Sequence, residues 1–230
     1  MMNCNFWKSL IHLCFPPCCI VCGNALAGSE ECLCIQCLQE LPKIRNVSPD
    51  KWRIEKRFWG KMPIENAMSH FLYIKGNDFD KILFELKYHG RKDVGKTMGR
   101  YVARHLLPEG FFEGIDLIVP IPLHPDRLKK RGYNQSEWIA RGISEITKIP
   151  VNTDAVCRTI SNTTQTKRSM QERWNNVQGI FSVKDKKALE GQHILLVDDV
   201  LTTGATILSC ASRILEAKGT RISVLTLAAV

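Results

Sequence analysis

From Ile64 onward, short apolar runs alternate with amphipathic stretches of helical period. Strands are predicted over residues 68–74, 115–121, 193–197 and 221–227. The second run is closed by Pro120 and Pro122, and the third holds four consecutive apolar residues, as buried strands do. Helices are predicted over residues 78–88, with Ile82, Leu83 and Leu86 on one face, and over 93–107, 135–147 and 203–217, the last stopped by Gly219. Residues 154–178 carry a weaker strand-then-helix pattern. Strand and helix alternate throughout, which predicts an α/β fold: a mostly parallel sheet flanked by helices.

The first 63 residues break this rhythm. Residues 1–42 are cysteine-dense and open on a short amphipathic stretch with Phe6, Trp7, Leu10 and Leu13 on its apolar side. Residues 43–63 hold seven cations and two acids, and read as a basic linker or exposed arm. The expected division is therefore 1–42, 43–63 and 64–230. A chain of 230 residues suffices for one α/β domain with a small appendage. The net charge of +9, over half of it from the arm, favours an anionic partner: a phosphorylated small molecule, a nucleic acid or a membrane surface. No apolar run of about 18 residues is present, so no transmembrane helix is expected and the expected location is the cytoplasm.

The chemistry concentrates in ILLVDDVLTTGAT, residues 194–206. The apolar run delivers Asp198 and Asp199 to the carboxyl edge of the sheet, where open α/β sheets bind ligands. After Val200 and Leu201 come Thr202, Thr203, Gly204, Ala205 and Thr206, where a helix begins. Small residues, free helix N–H groups and hydroxyls make a phosphate cradle. Carboxylates repel phosphate but accept hydrogen bonds from sugar hydroxyls, so the pair suits a phosphorylated sugar. A bare strand–turn–helix with an aspartate cap is the simpler reading of D-D-x-x-T alone. The whole string resembles the phosphoribosyl pyrophosphate (PRPP) motif of type I phosphoribosyltransferases. The resemblance implies that Asp198 and Asp199 hold the ribose hydroxyls and Thr202–Thr206 the 5-phosphate. It also implies Mg²⁺ held mainly by the ligand's own oxygens. Catalysis would then be positioning and electrostatic stabilisation of departing pyrophosphate.

Two further segments add cations. Residues 116–135, DLIVPIPLHPDRLKKRGYNQ, place Arg127 and Arg131 after a strand end, either to receive pyrophosphate or as a solvated basic loop. Residues 163–181, with Gln165, Lys167, Arg168, Arg173 and Asn176, suit a hood over the ligand or an exposed helix. Lys87 closes the first helix, as cations often do. Lys87, Arg127, Arg131, Gln165 and Arg173 are the pyrophosphate-side candidates.

Eight of ten cysteines fall within residues 4–37. The pairs Cys19-x-x-Cys22 and Cys34-x-x-Cys37 can put four thiolates on one tetrahedral zinc, with Cys18 and Cys32 as competing ligands. P-x-P, R-G-Y-N-Q, Q…R-x-x-N…F, the thirteen-residue loop and F-P-P-x-C-x-x-C-G together resemble the ComF family over nearly the whole chain. That pattern selects Cys19, Cys22, Cys34 and Cys37 as a structural zinc ribbon. It implies handling of imported DNA in natural competence, at the inner face of the membrane near a helicase partner and the DNA channel. In the basic arm, Trp52, Phe58 and Trp59 could stack single-stranded DNA, or the arm could be a solubilising linker. Three functions are carried forward: a competence factor binding PRPP and single-stranded DNA, a PRPP-dependent transferase of nucleotide metabolism, and a PRPP sensor without turnover.

Overall fold

The computed structural model describes residues 16–28, 30–44, 50–159 and 180–230. The expected helix around Phe6–Leu13, and Gln165 and Arg173, lie outside these residues. In chain order the elements are α1 (Ile35–Glu40), α2 (Asp50–Glu55), β1 (Asn66–Leu72), α3 (Asp78–Tyr88), α4 (Lys92–Leu106), β2 (Leu117–Pro120), α5 (Pro125–Arg131) and α6 (Gln135–Thr147). Then follow β3 (Val156–Arg158), β4 (Phe181–Val183), β5 (His193–Leu201), α7 (Ala205–Ile214) and β6 (Arg221–Ala229).

Four strands form one sheet in the order β1-β6-β5-β2, every pair parallel. All carboxyl ends therefore meet at one edge. The strand pleat sends alternate residues to opposite faces. Leu195 and Val197 join Leu225, Leu227 and Phe71 in a core beneath α3, α4 and α6. Ile194 and Leu196 join Ile222, Val224, Ile207 and Ile214 in a core on the α7 side. Residues 194–197 are fully buried, each contributing roughly 1.5–3 kcal/mol. The small antiparallel pair β3–β4 closes the α7 side.

The expected strand over 193–197 runs on to Leu201. Asp198, Val200 and Leu201 keep register with Thr226, Ala228 and Ala229, so pairing outlasts the apolar run. The acids thus stand on a paired strand rather than a loop.

The arm departs further from expectation. Its described part contains α2, and Ile54 and Phe58 are buried at 3% and 2% exposure in the α7-side core. A net positive charge hid two core residues, and Phe58 has no face left for a base; Trp59 keeps 52%. Upstream, Leu72 donates to the Pro42 carbonyl and Ile44 to that of His70, so residues 42–44 run along the outer edge of β1. Cys19, Leu33, Cys37, Leu38 and Leu41 share one core with Phe71 and Phe79.

Helices α4 and α6 pack backbone to backbone. A Cβ on Gly142 would lie 2.2 Å from the Lys96 carbonyl oxygen, and one on Gly99 would lie 2.2 Å from that of Ile139. Both neighbours are helix backbone and cannot turn aside. Gly142→Ala should cost about 3 kcal/mol, lowering the melting temperature by about 2–4 °C per kcal/mol for a chain of this size. An unshifted thermal melt would contradict this packing.

Candidate functional site

The carboxyl edge of the sheet opens into a cleft of about 170 Å³, lined among others by Lys87, Arg127, Arg131, Gln135, Ser136, Arg158, Asp198, Asp199 and Thr206. Each arrives from a different element for a local reason. The acids ride the end of β5. Thr202, Thr203 and Gly204 turn the chain into α7, with Gly204 at φ 80°, a left-handed conformation that favours glycine. Thr202, Thr203 and Thr206 are exposed, and the Thr203 hydroxyl accepts from the Ala205 N–H at 3.3 Å. A Cβ on Gly204 would meet the Phe58 ring at 3.5 Å and Arg57 Cβ at 3.8 Å. The turn therefore rests on the arm, and the Arg57 guanidinium is bonded to the Val230 carbonyl beside it.

The R-G-Y-N-Q segment links α5 to α6. Gly132 ends α5 at φ 76°, and Asn134 caps α6 through the Ser136 N–H. The Tyr133 hydroxyl donates to the Leu86 carbonyl, which ties this corner to the end of α3. Gln135 and Ser136 then face the acids. The Ser136 hydroxyl donates to Asp198 Oδ1 at 2.9 Å, and the Asp199 N–H donates to the same oxygen at 2.9 Å. Asp199 Oδ2 receives Lys87 Nζ at 2.8 Å and Gln135 Nε2 at 3.4 Å. Arg131 donates to Gln135 Oε1 at 2.9 Å and lies over the Tyr88 ring at 5.5 Å.

Charge is unbalanced here. Burial, reinforced by the Asp199 carboxylate, pushes Asp198 up to about 7. The same cleft is lined by Arg127, Arg131 and Arg158. The Arg158 Nε is buried with no partner among the described residues, and burial and Arg127 depress its pKa. A cleft lined by two acids and three guanidinia suits a ligand that carries both hydroxyls and anionic oxygens.

The Asp198 shift has a testable sign. Its carboxyl binds its proton more tightly folded than unfolded, so its contribution to stability is complete below about pH 4 and is lost as pH rises through about 7. His70, which burial and then His105 and Lys43 depress to about 4, acts in the opposite sense between about 4 and 6.5. Comparison with Asp198→Asn isolates the carboxyl. Without ligand, that variant should be the more stable protein, by a margin that grows from pH 5 to 7 and then levels off. A margin independent of pH in chemical denaturation would refute the shift.

Of the candidates read from the sequence, Lys87, Arg127, Arg131, Asp198, Asp199 and Thr206 line one cleft. Gln165 and Arg173 fall outside the described residues. Lys87, a pyrophosphate-side candidate, is paired with Asp199 at 2.8 Å, and Tyr133 ties the end of its helix to the α5–α6 corner. Ser136 and Arg158 escaped sequence reading. Ser136 follows the glutamine of R-G-Y-N-Q directly, and α-helical register would have turned it toward the strand; Arg158 carries no sequence signal.

A second cluster lies in the cysteine-dense segment. The Sγ atoms of Cys19, Cys22, Cys34 and Cys37 lie within 4.8 Å of one another and could hold a metal ion. The N–H groups of Cys34 and Cys37 donate to Cys19 Sγ and Cys34 Sγ, both at 3.4 Å. Burial pushes the Cys19 thiol up, but backbone N–H groups of Cys22, Cys34 and Val21 outweigh it and bring it down to about 7, so it ionises readily as a ligand must. Cys18 is outside the cluster, its thiol on the Pro16 carbonyl, and burial pushes Cys32 up to about 11, as suits a packed thiol. No helix among the described residues is long and apolar enough to cross a membrane.

Residues 95–230 match the phosphoribosyl transferase domain family. The DNA utilization protein YhgH of Escherichia coli O6:H1 is 27% identical over 201 residues, 86% of this chain and 84% of that one. Competence protein F of Haemophilus influenzae is 29% identical over 192 residues, covering 83% and 75%. Competence protein ComFC of Bacillus subtilis is 37% identical over 108 residues, covering 47% and 41%. Among solved structures, glutamine PRPP amidotransferase from B. subtilis superposes with a TM-score of 0.45 at 21% identity, over 63% of this chain and 30% of that one.

Proposed function

Since this chain belongs to the phosphoribosyl transferase domain family, as a member of its ComF group, we propose that it binds PRPP in the cleft and single-stranded DNA beside it, in the use of imported DNA. The observation that carries this reading is the convergence of Asp198, Asp199 and the Thr206 end of the turn with Lys87, Arg127, Arg131 and Arg158 around one opening. The acids accept the ribose hydroxyls. The exposed threonine hydroxyls and the first N–H groups of α7 take the 5-phosphate. The guanidinia receive pyrophosphate. Lys87 Nζ occupies the Asp199 oxygen that a ribose hydroxyl would use, so PRPP displaces it and frees its ammonium for the pyrophosphate. Mg²⁺, bound with the ligand, would neutralise charge on its oxygens. The four clustered thiols would hold a structural Zn²⁺.

The relatives named for competence and DNA utilization support the DNA role, and the net charge of +9 suits it. In this reading the protein works at the cytoplasmic face of the inner membrane with the competence helicase and DNA channel. The acids, threonines and cations gathered at one cleft also favour a second reading, transfer of phosphoribose to a nucleobase acceptor. Calorimetric titration with PRPP and Mg²⁺, followed by a pyrophosphate assay with a panel of bases, separates the two. Binding without release supports the first, release with one base supports the second, and absence of binding refutes both.

A further inference from the structure

Helix α3 spends its apolar residues in two directions. Phe79, Ile82, Leu83 and Leu86 are buried in the core. Phe84 and Tyr88, one turn apart, lie off that face and are 51% and 61% exposed. Their rings sit 5.3 Å apart, and the exposed His89 ring stands edge-on to Phe84 at 4.8 Å. Core packing does not need these rings, and a solvated helix face would be expected to be polar.

The adjoining helix is as unusual. α5 buries no residue at all. Its sequence PDRLKKR holds four cations and one acid, and Leu128 is 43% exposed. The two helices meet where Arg131 lies over the Tyr88 ring, and Arg131 and Arg127 continue into the cleft. The acid nearest the rings, Glu85, is engaged by His89 at 2.8 Å. The surface is thus a pair of half-exposed rings, with Arg131 over one face of Tyr88, bordered by cations and leading to the mouth of the cleft.

We infer that Phe84 and Tyr88 on α3, with Lys129, Lys130 and Arg131 on α5, form the platform on which single-stranded DNA lies. Bases stack on the rings and phosphates follow the cations, a combination that recognises strands without reading sequence. Charge complementarity favours nucleic acid over a protein partner, because Lys129 and Lys130 on a helix that buries no residue add to the two arginines at the cleft mouth in matching a phosphate backbone. The basic arm is the weaker site: Phe58 is buried, and the arm is seated beneath the turn at Gly204. The inference rests on the single-strand reading proposed above and assigns it a surface.

The test is fluorescence anisotropy of the full chain with labelled oligo(dT) at several salt concentrations. Removing both rings in Phe84→Ala/Tyr88→Ala should weaken binding at least roughly thirtyfold, at about 1 kcal/mol or more per missing stack. Lys129→Ala/Lys130→Ala should reduce the salt slope by about 1.4, about 0.7 for each phosphate no longer neutralised. Arg53→Ala/Lys56→Ala in the arm should change little. Unaltered melting curves identify variants that fold. Wild-type binding unchanged by the platform variants, or lost only in the arm variant, overturns the platform and leaves the single-strand reading standing. No wild-type binding overturns both, and binding of a competence protein that depends on the rings while oligo(dT) binding does not assigns the surface to protein instead.

Discussion

Asp198→Asn combined with Asp199→Asn should abolish PRPP binding, a loss of more than about a hundredfold by calorimetry, since hydrogen bonds to charged groups contribute about 1.5–3 kcal/mol each. The physical argument has two parts. A neutral amide accepts a sugar hydroxyl less strongly than a carboxylate and presents a donor where an acceptor is needed. Loss of Asp199 also leaves Lys87 without its 2.8 Å partner, so the cleft gains a cation that the ligand would not have to displace. The second part predicts that pyrophosphate alone binds the double variant no worse than wild type. The first predicts that ribose 5-phosphate binds it much worse. Equal loss of both ligands would mean that the cleft had collapsed, and retained PRPP affinity would remove the acids from the sugar site.

Loss of the metal should have the largest effect on structure. Cys37→Ser, or prolonged chelation of wild type, should reduce bound zinc from one per chain to less than a tenth of that. Structural zinc contributes apparent energies of about 10–16 kcal/mol in small zinc peptides. Here two of the four candidate ligands are not peripheral. Cys19 and Cys37 are buried at 2% and 7% exposure, in a core continuous with Phe71 and Phe79. Disruption should therefore spread beyond residues 16–41. Arg100, which pairs with Glu31, and Lys81, which donates to the Val21 carbonyl, would lose partners. Limited proteolysis should cut first within this segment and soon after around β1. Full metal content in Cys37→Ser would remove that residue from the ligand set.

The sequence was most legible where local pattern and tertiary role coincide. Residues 194–197 are apolar and fully buried, and they serve both faces of the sheet, so their strand could be read directly. The double C-x-x-C was legible for a similar reason: ligand spacing is itself local. Residues 43–63 were obscured because seven cations dominate a stretch whose structural content is Ile54 and Phe58. The pairing of Lys87 with Asp199 spans more than a hundred residues and depends on Tyr133 fastening α5–α6 to α3, which no periodicity records. Arg158 was missed because its relevance comes only from β3 folding back against the cleft. Of the cations that line the cleft, Lys87, Arg127 and Arg131 were thus legible in the sequence and Arg158 was not.

Phe58 beneath Gly204 has a consequence for dissection. The family match begins at residue 95, yet β1, Lys87 and the aromatic wedge under the turn all precede it. A fragment excised at that boundary would bare β6 as an unpaired apolar edge, the arrangement most prone to self-association. It would also keep the acids while losing both Lys87, which pairs with Asp199, and the support of the turn at Gly204. The unit that can be transplanted into a chimera is longer than the unit of recognisable ancestry, and it includes the cysteine-dense segment from residue 16, whose buried residues share a core with Phe71 and Phe79.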